Sequence, residues 1–213
     1  MALVIDIETV GQTPEEIPVR ALAYLFRHLE REQLSAEDLE ARRKEVISRF
    51  SLDPTVGTII CIGLVDTETG EEKAIIDSDE KTLLGSFWRY LRDHPPERFV
   101  TFNGKSFDFP YINVRSAVLQ VPPTLILPIA RHTTHPHFDV REVFAGHERH
   151  RRGNLDYFCA VFDVPSPKQH MDGKGVGAAY RQGKIEEIAR YCLGDCRATA
   201  SLFERLKAYY EGS

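Results

Sequence analysis

The amino-acid sequence predicts an α/β fold, a central mixed five-stranded sheet flanked by helices. Three observations carry that expectation. A β-branched apolar run, "ALVIDIE", begins almost at the first residue. Two strand-like runs, "GTIICIGLVD" and "EEKAIID", are joined by the hairpin-like turn "TETG". After them, short apolar runs alternate with amphipathic stretches at helical period, which is the pattern of a sheet covered by helices.

"ALVIDIE" has the continuous apolar character of a central strand covered on both sides. From Pro18 to about Ser51 the pattern changes: Leu22, Leu25, Phe26 and Leu29 recur at helical spacing, and Ser35 with Asp38 resembles a capping box that opens a second helix. These residues predict a helical insertion at about 18–51 within a single domain spanning 1–213. Its charged faces read as solvated surface, and no function attaches to them. "EKTLLGSFWRYLRDH" is an amphipathic helix ended by Pro95-Pro96. "RFVTFNG" is the next strand, and "DFPYINVRSAVLQ" the helix that follows it, stopped before Val121-Pro122-Pro123. A short strand is expected in "PHFDVREVF", a helix in "NLDYFCAVFDV", and a last helix from about Ile185 to Tyr210.

With 213 residues, 42% of them hydrophobic, the chain can bury a sizeable core. No apolar run approaches the roughly 18 residues that span a bilayer. The opening "MALVIDIETV" meets Asp6 without a basic region, unlike a signal peptide. Cys61, Cys159, Cys192 and Cys196 form no CxxC pair and read as reduced, buried thiols rather than a disulfide or zinc framework. The expected compartment is cytoplasmic, with no membrane partner. The formal net charge is −5, but 101–184 holds 11 Lys and Arg against 7 Asp and Glu, a local +4 that leaves the rest at −9. A basic middle permits a polyanionic partner.

The acids are unevenly placed. Asp6 and Glu8 lie two apart in a strand, so both carboxylates project to one side while Ile5 and Ile7 take the other. An exposed edge strand would tolerate that pair; a central strand would not, unless a divalent cation joined it. Asp108 lies between Phe107 and Phe109 at or near a helix start, where an acid also serves as an ordinary cap. Tyr191 and Asp195 are one turn apart, at the margin of the apolar stripe Ile188, Cys192, Thr199, Phe203 and Leu206.

Taken in order, Asp-x-Glu on a first strand, Asn-x-x-x-Phe-Asp after a later strand and Tyr-x-x-x-Asp on a last helix resemble the tyrosine subgroup of the DEDD 3′→5′ exonucleases. These proteins have a ribonuclease H-like fold. "FNGKSFDFPYI" looks most like the exonuclease domain of family-B DNA polymerases. The resemblance implies that Asp6, Glu8, Asp108 and Asp195 hold two divalent cations, Mg²⁺ or Mn²⁺, which suits an all-oxygen ligand set with no Cys or His in it. It implies that Tyr191 orients the attacking water, and that Thr9, Asn103 and Phe107 contact the substrate. Arg190 stands where the histidine subgroup has its His. The expected activity is removal of nucleoside 5′-monophosphates from 3′ ends of single-stranded nucleic acid, with DNA favoured over RNA. A chain of 213 residues has no room for a polymerase domain, so a proofreading role would need a separate polymerase or repair protein. A non-catalytic module on the same fold and a metal-dependent endonuclease are the alternatives.

Other segments stay open between two readings. "HERHRRGN" is either a phosphate-tracking loop or a solvated one. Lys168 and Lys174, in the Gly-rich "SPKQHMDGKGVG", either approach a substrate backbone, as assigned to Lys174, or are solvated. His132, His135 and His137 imitate zinc spacing without a Cys or fourth ligand nearby.

Overall fold

The structure, a computed structural model, describes residues 1–29, 32, 34–146, 153–166, 173 and 175–210. Five strands form one sheet in the order β3-β2-β1-β4-β5, with β1 Ala2–Gly11, β2 Gly57–Asp66, β3 Glu72–Ile75, β4 Arg98–Thr101 and β5 His137–Asp139. β1 pairs antiparallel with β2 and β2 with β3, whereas β1–β4 and β4–β5 are parallel, so the sheet is mixed and β1 is its central strand. The described helices are α1 Val19–Phe26, α2 Ala36–Ile47, α3 Glu80–Asp93, α4 Asp108–Val118, α5 Val140–Phe144, α6 Leu155–Phe162, α7 Val176–Arg181 and α8 Ile185–Tyr210.

Strand alternation decides what each face of the sheet meets. Leu3, Ile5 and Ile7 of β1, with Ile62 and Leu64 of β2, pack on Leu84, Phe87 and Trp88 of α3 and on Phe109 and Ile112 of α4. Val4, Val65 and Val100 face the opposite way, onto Ala198, Leu202 and Phe203 of α8. Farther along the same face, Ile60 and Cys61 meet Ile188 and Cys192 of α8 and Ala179 of α7. Asp6 and Glu8 share the phase of Val4, so α8 is the helix that they confront.

The α3–α4 face also contains a buried ion pair. Arg115 Nη2 meets Glu80 Oε2 at 2.5 Å and Arg115 Nε donates to Oε1 at 2.9 Å, while Glu80 Oε1 accepts the Ile59 N–H at 2.7 Å. All four cysteines are buried and none forms a disulfide. No described helix is long and apolar enough to cross a membrane.

α1 and α2 follow β1 directly, where helices were expected. Ser35 Oγ accepts the Asp38 N–H at 3.1 Å and caps α2. Neither helix has a fully buried residue. Leu22, Leu25, Phe26 and Val46 rest at the rim of the small cluster Ile17, Phe50 and Val56, and the chain rejoins β1 through Gln12 N–H donating to Val56 O at 2.9 Å.

The expected short strand is present, and one further helix was not foreseen. "PHFDVREVF" is strand only at His137–Asp139, because the Asp139 carboxylate accepts the Glu142 N–H at 3.1 Å and starts α5 at once. The residues after Gly175, read as part of a Gly-rich segment, form α7, since Val176 and Ala179 find the Ile60 cluster to pack against.

Candidate active site

β1 delivers the first two acids. Asp6 pairs with Gly63 and Glu8 with Cys61 across the β1–β2 ladder. Thr9 then pairs with Ile59, leaving Ile60 as an extra residue of β2. Beyond that bulge Thr9 is half-buried, and its hydroxyl donates to Ser51 O at 2.7 Å, tying β1 to the end of the helical insertion.

Asp108 arrives from β4. The parallel ladder between β1 and β4 runs from Ala2 to Val4, after which β4 turns away at Thr101. Asp108, the first residue of α4, takes the place of a strand partner: its Oδ1 accepts the Ile7 N–H at 3.1 Å. The turn that carries it is pinned by a residue the sequence did not single out. Buried Asp139 accepts the Asn103 N–H at 2.9 Å and the Lys105 N–H at 3.0 Å. Asn103 has φ +72°, the left-handed conformation that Asn tolerates. Its Oδ1 accepts from Arg141 Nη1 at 2.6 Å, so what the amide has left to offer is N–H donation. Phe107 is half-buried, its ring 5.4 Å from that of Tyr111. Lys105 Nζ, buried, pairs with Glu142 at 2.7 Å.

α8 brings Tyr191 and Asp195 over β1. The tyrosine O–H donates to the Asp195 carboxylate one turn later. The side chain of Cys192, between them, lies against Asp6, its S–H 3.5 Å from both Asp6 O and Asp6 Oδ2.

The electrostatics show how close these groups are. Burial, then Asp195 and Asp108, push Asp6 well above the usual carboxylate range; burial, then Asp195, do the same to Glu8. The charges bearing most on these two acids are other acids and thiols, with no cation among them. Burial, helped by Asp139 and Asp195, raises Asp108 to about 7 against the backbone hydrogen bonds that lower it. Tyr191 is raised by burial and then by Asp195, Glu8 and Asp6, so its phenol keeps its proton at neutral pH. The structure therefore gathers Asp6, Glu8, Asp108, Tyr191 and Asp195 at one place, with Asn103 in the turn that leads to Asp108.

The donor set fits hard divalent cations. Several carboxylates converge where their mutual repulsion is little screened, and positive charge is what they lack. One expectation changes: a thiol does belong to the constellation, because Asp6, Glu8 and Cys192 bring one potential ligand atom each within 4.8 Å of one another. The histidines behave otherwise. His137 is buried and spends Nε2 on Thr101 Oγ1 at 2.8 Å and Nδ1 on Pro128 O at 2.7 Å, and burial lowers it to about 4. His135 is exposed beside Arg98, and no histidine cluster with metal-ligand spacing occurs among the described residues. Lys168, Lys174 and most of "HERHRRGN" lie outside the described residues.

Comparison with known proteins follows the same lines. The family model of the RNase_H superfamily matches residues 50–207, well over half of the chain. The chain is a member of the RNase_H superfamily. The matched stretch of this superfamily member includes Asp108, Tyr191 and Asp195 and begins after β1. The DNA polymerase of Pyrococcus glycovorans is 26% identical over 147 residues, 59% of this chain and 18% of the polymerase. DNA polymerase 1 of Pyrococcus abyssi is 25% identical over 177 residues, 68% of this chain and 22% of that protein. The structure of the family B DNA polymerase from Pyrobaculum calidifontis shares the fold with a TM-score of 0.64 at 18% identity, over 96% of this chain and 24% of the polymerase. This superfamily member thus spans less than a quarter of the length of the polymerases it resembles.

Two predictions arise from this geometry. A Cβ on Gly63 would lie 2.8 Å from Cys192 Sγ and 2.9 Å from Cys196 Sγ, so only glycine lets α8 approach β2 here. Gly63→Ala is expected to cost about 1–3 kcal/mol through overpacking and to lift Tyr191 and Asp195 off β1. Gly85→Ala, whose Cβ meets nothing within 4 Å, should leave the melting temperature unchanged or higher. Thermal unfolding of the two variants checks both.

The second concerns pH. A carboxyl whose folded pKa is raised contributes stability in full below its unfolded pKa, and loses it as pH rises through the folded value. For Asp108 that window runs from the ordinary 3.8 to about 7, and Asp6 and Glu8 act in the same sense. In EDTA the melting temperature should fall across that window, Asp108→Asn should flatten the fall, and added Mn²⁺ should reverse it. Thermal scans across pH decide; an Asp108→Asn variant with the wild-type slope would contradict the placement.

Proposed function

We propose that residues 1–213 form a single nuclease domain that removes nucleotides stepwise from the 3′ end of single-stranded nucleic acid with the help of two divalent cations. The observation that supports this reading is the convergence of Asp6, Glu8, Asp108 and Asp195 with Tyr191, where the acids reinforce one another's protonation instead of being neutralised. Mg²⁺ or Mn²⁺ held by the four carboxylates would supply charge for the attacking and leaving oxygens of a phosphodiester.

The chain's own groups have distinct tasks in this reading. The Ile7 N–H holds the Asp108 carboxylate, and the Asp139 clamp holds the turn before it. Tyr191 keeps its proton, so it is not the base; its O–H, which here donates to Asp195, would turn to orient the attacking water once that carboxylate holds a cation. Asn103 offers N–H donors to a phosphate or sugar oxygen, and the half-buried Phe107 offers a ring edge to a terminal base. Thr9, whose hydroxyl is engaged with Ser51, would contact substrate through its backbone or methyl group. Lys174 completes the proposed substrate contacts. DNA is the favoured substrate, with a separate polymerase or repair protein as the partner in the cell.

The test uses 5′-labelled single-stranded DNA and RNA with Mn²⁺ or Mg²⁺. A ladder that shortens from the 3′ end is expected. Internal cuts would make the chain an endonuclease, and binding without cleavage would make it a non-catalytic module.

A further inference from the structure

Sulfur at the carboxylate site has a consequence for which ions that site accepts. Cys192 is wholly buried, on the face of α8 that meets β1, and its sulfur lies 3.5 Å from Asp6 Oδ2. Glu8 completes a group whose ligand atoms all lie within 4.8 Å of one another. A zinc ion with a sulfur at about 2.3 Å and a carboxylate oxygen at about 2.0–2.2 Å, in tetrahedral arrangement, holds those two atoms about 3.5 Å apart. The separation observed for the S–H···O contact is therefore also the separation of a metal bridge, and the ion would replace the thiol proton, which leaves to solvent. Two further buried thiols, Cys61 and Cys196, hydrogen-bond Cys192. Magnesium gains little from such a ligand, whereas thiophilic ions select it.

We propose that Asp6, Glu8 and Cys192 form a site for a thiophilic divalent cation of the zinc and cadmium class, overlapping the hard-ion site, so that such an ion displaces Mn²⁺ and stops the nuclease. The displacement rests on the proposed function, since it needs Mn²⁺ at Asp6 and Glu8. Capture of the ion by Cys192 does not.

Cadmium alone is the probe. The EDTA-treated full chain is titrated with Cd²⁺ while the ultraviolet thiolate-to-cadmium charge-transfer band is followed. One equivalent should produce the band, and Cys192→Ser should lose it and bind Cd²⁺ roughly tenfold or more weakly by calorimetry. Cys159→Ser, buried away from the site, should keep both. A second measurement needs no variant: cadmium-113 resonance of the wild-type protein should show one sulfur among oxygen ligands. No band, a band that survives in Cys192→Ser, or an all-oxygen or three-sulfur resonance would overturn the proposal. A chain that cleaves with Mn²⁺ yet gives no band sinks this inference alone, while a chain that gives the band without any cleavage sinks the nuclease reading alone.

Discussion

Asp195→Ala is expected to lower Mn²⁺-dependent hydrolysis by about 10³-fold, the upper end of what the loss of one preorganised electrostatic group costs. It should do so without unfolding the chain. Asp195 is half-buried, and the carboxyls of Asp6, Glu8 and Asp108 all feel it as a repulsive neighbour. Removing it relieves that repulsion, so in EDTA the variant should melt at or above the wild-type temperature, as when a strained functional group is deleted. In excess Mn²⁺ the order should invert, because the wild-type chain gains binding free energy that the variant forgoes. Cleavage rates and paired thermal scans measure both. Wild-type activity in Asp195→Ala would refute the site assignment, and a lower melting temperature in EDTA would mean that Asp195 stabilises the fold rather than straining it.

Arg115→Ala should have the largest effect on stability. It would leave the Glu80 carboxylate buried, with only the Ile59 N–H to answer two oxygens that Arg115 now engages through Nε and Nη2. Breaking a buried pair on one side costs about 3–5 kcal/mol, which for a chain of this size lowers the melting temperature by roughly 6–20 °C. The double variant Glu80→Gln/Arg115→Met should recover most of that loss, since the glutamine oxygen still accepts from Ile59 while no charge remains buried. Denaturant melts of the single and double variants decide. Equal destabilisation in both would show that packing of the arginine stem, not its charge, matters here.

Sequence pattern alone recovered the sheet and most helices because those depend on short-range periodicity. "GTIICIGLVD" and the run from Ile185 to Tyr210 coincide with β2 and α8. Asp6, Glu8, Tyr191 and Asp195 were legible for the same reason: spacings of two and four translate directly into a shared face. Asp139 was not legible. Within "PHFDVREVF" it resembles any helix cap, and its grip on the Asn103 and Lys105 amides depends on β5 lying beside β4, which no local pattern encodes. Glu80 and Arg115 drew no reading from the sequence either, because the distance between α3 and α4 is fixed by packing on β1 and β2. Cys192 was legible as a reduced, buried thiol, but its place beside Asp6 was not. Cys192 fits an apolar stripe as well as a leucine would, and only the Gly63 contact brings it down to Asp6.

α8 is both a beam and a bearing. Its 26 residues extend about 39 Å, with Leu202 and Phe203 seated on Val4 and Val65 at one end and Tyr191 and Asp195 suspended over the acids toward the other. A rod cannot be tilted at its foot without swinging its tip. Damage to the greasy footing around Leu202 should therefore blunt the chemistry while the molecule as a whole still keeps its shape.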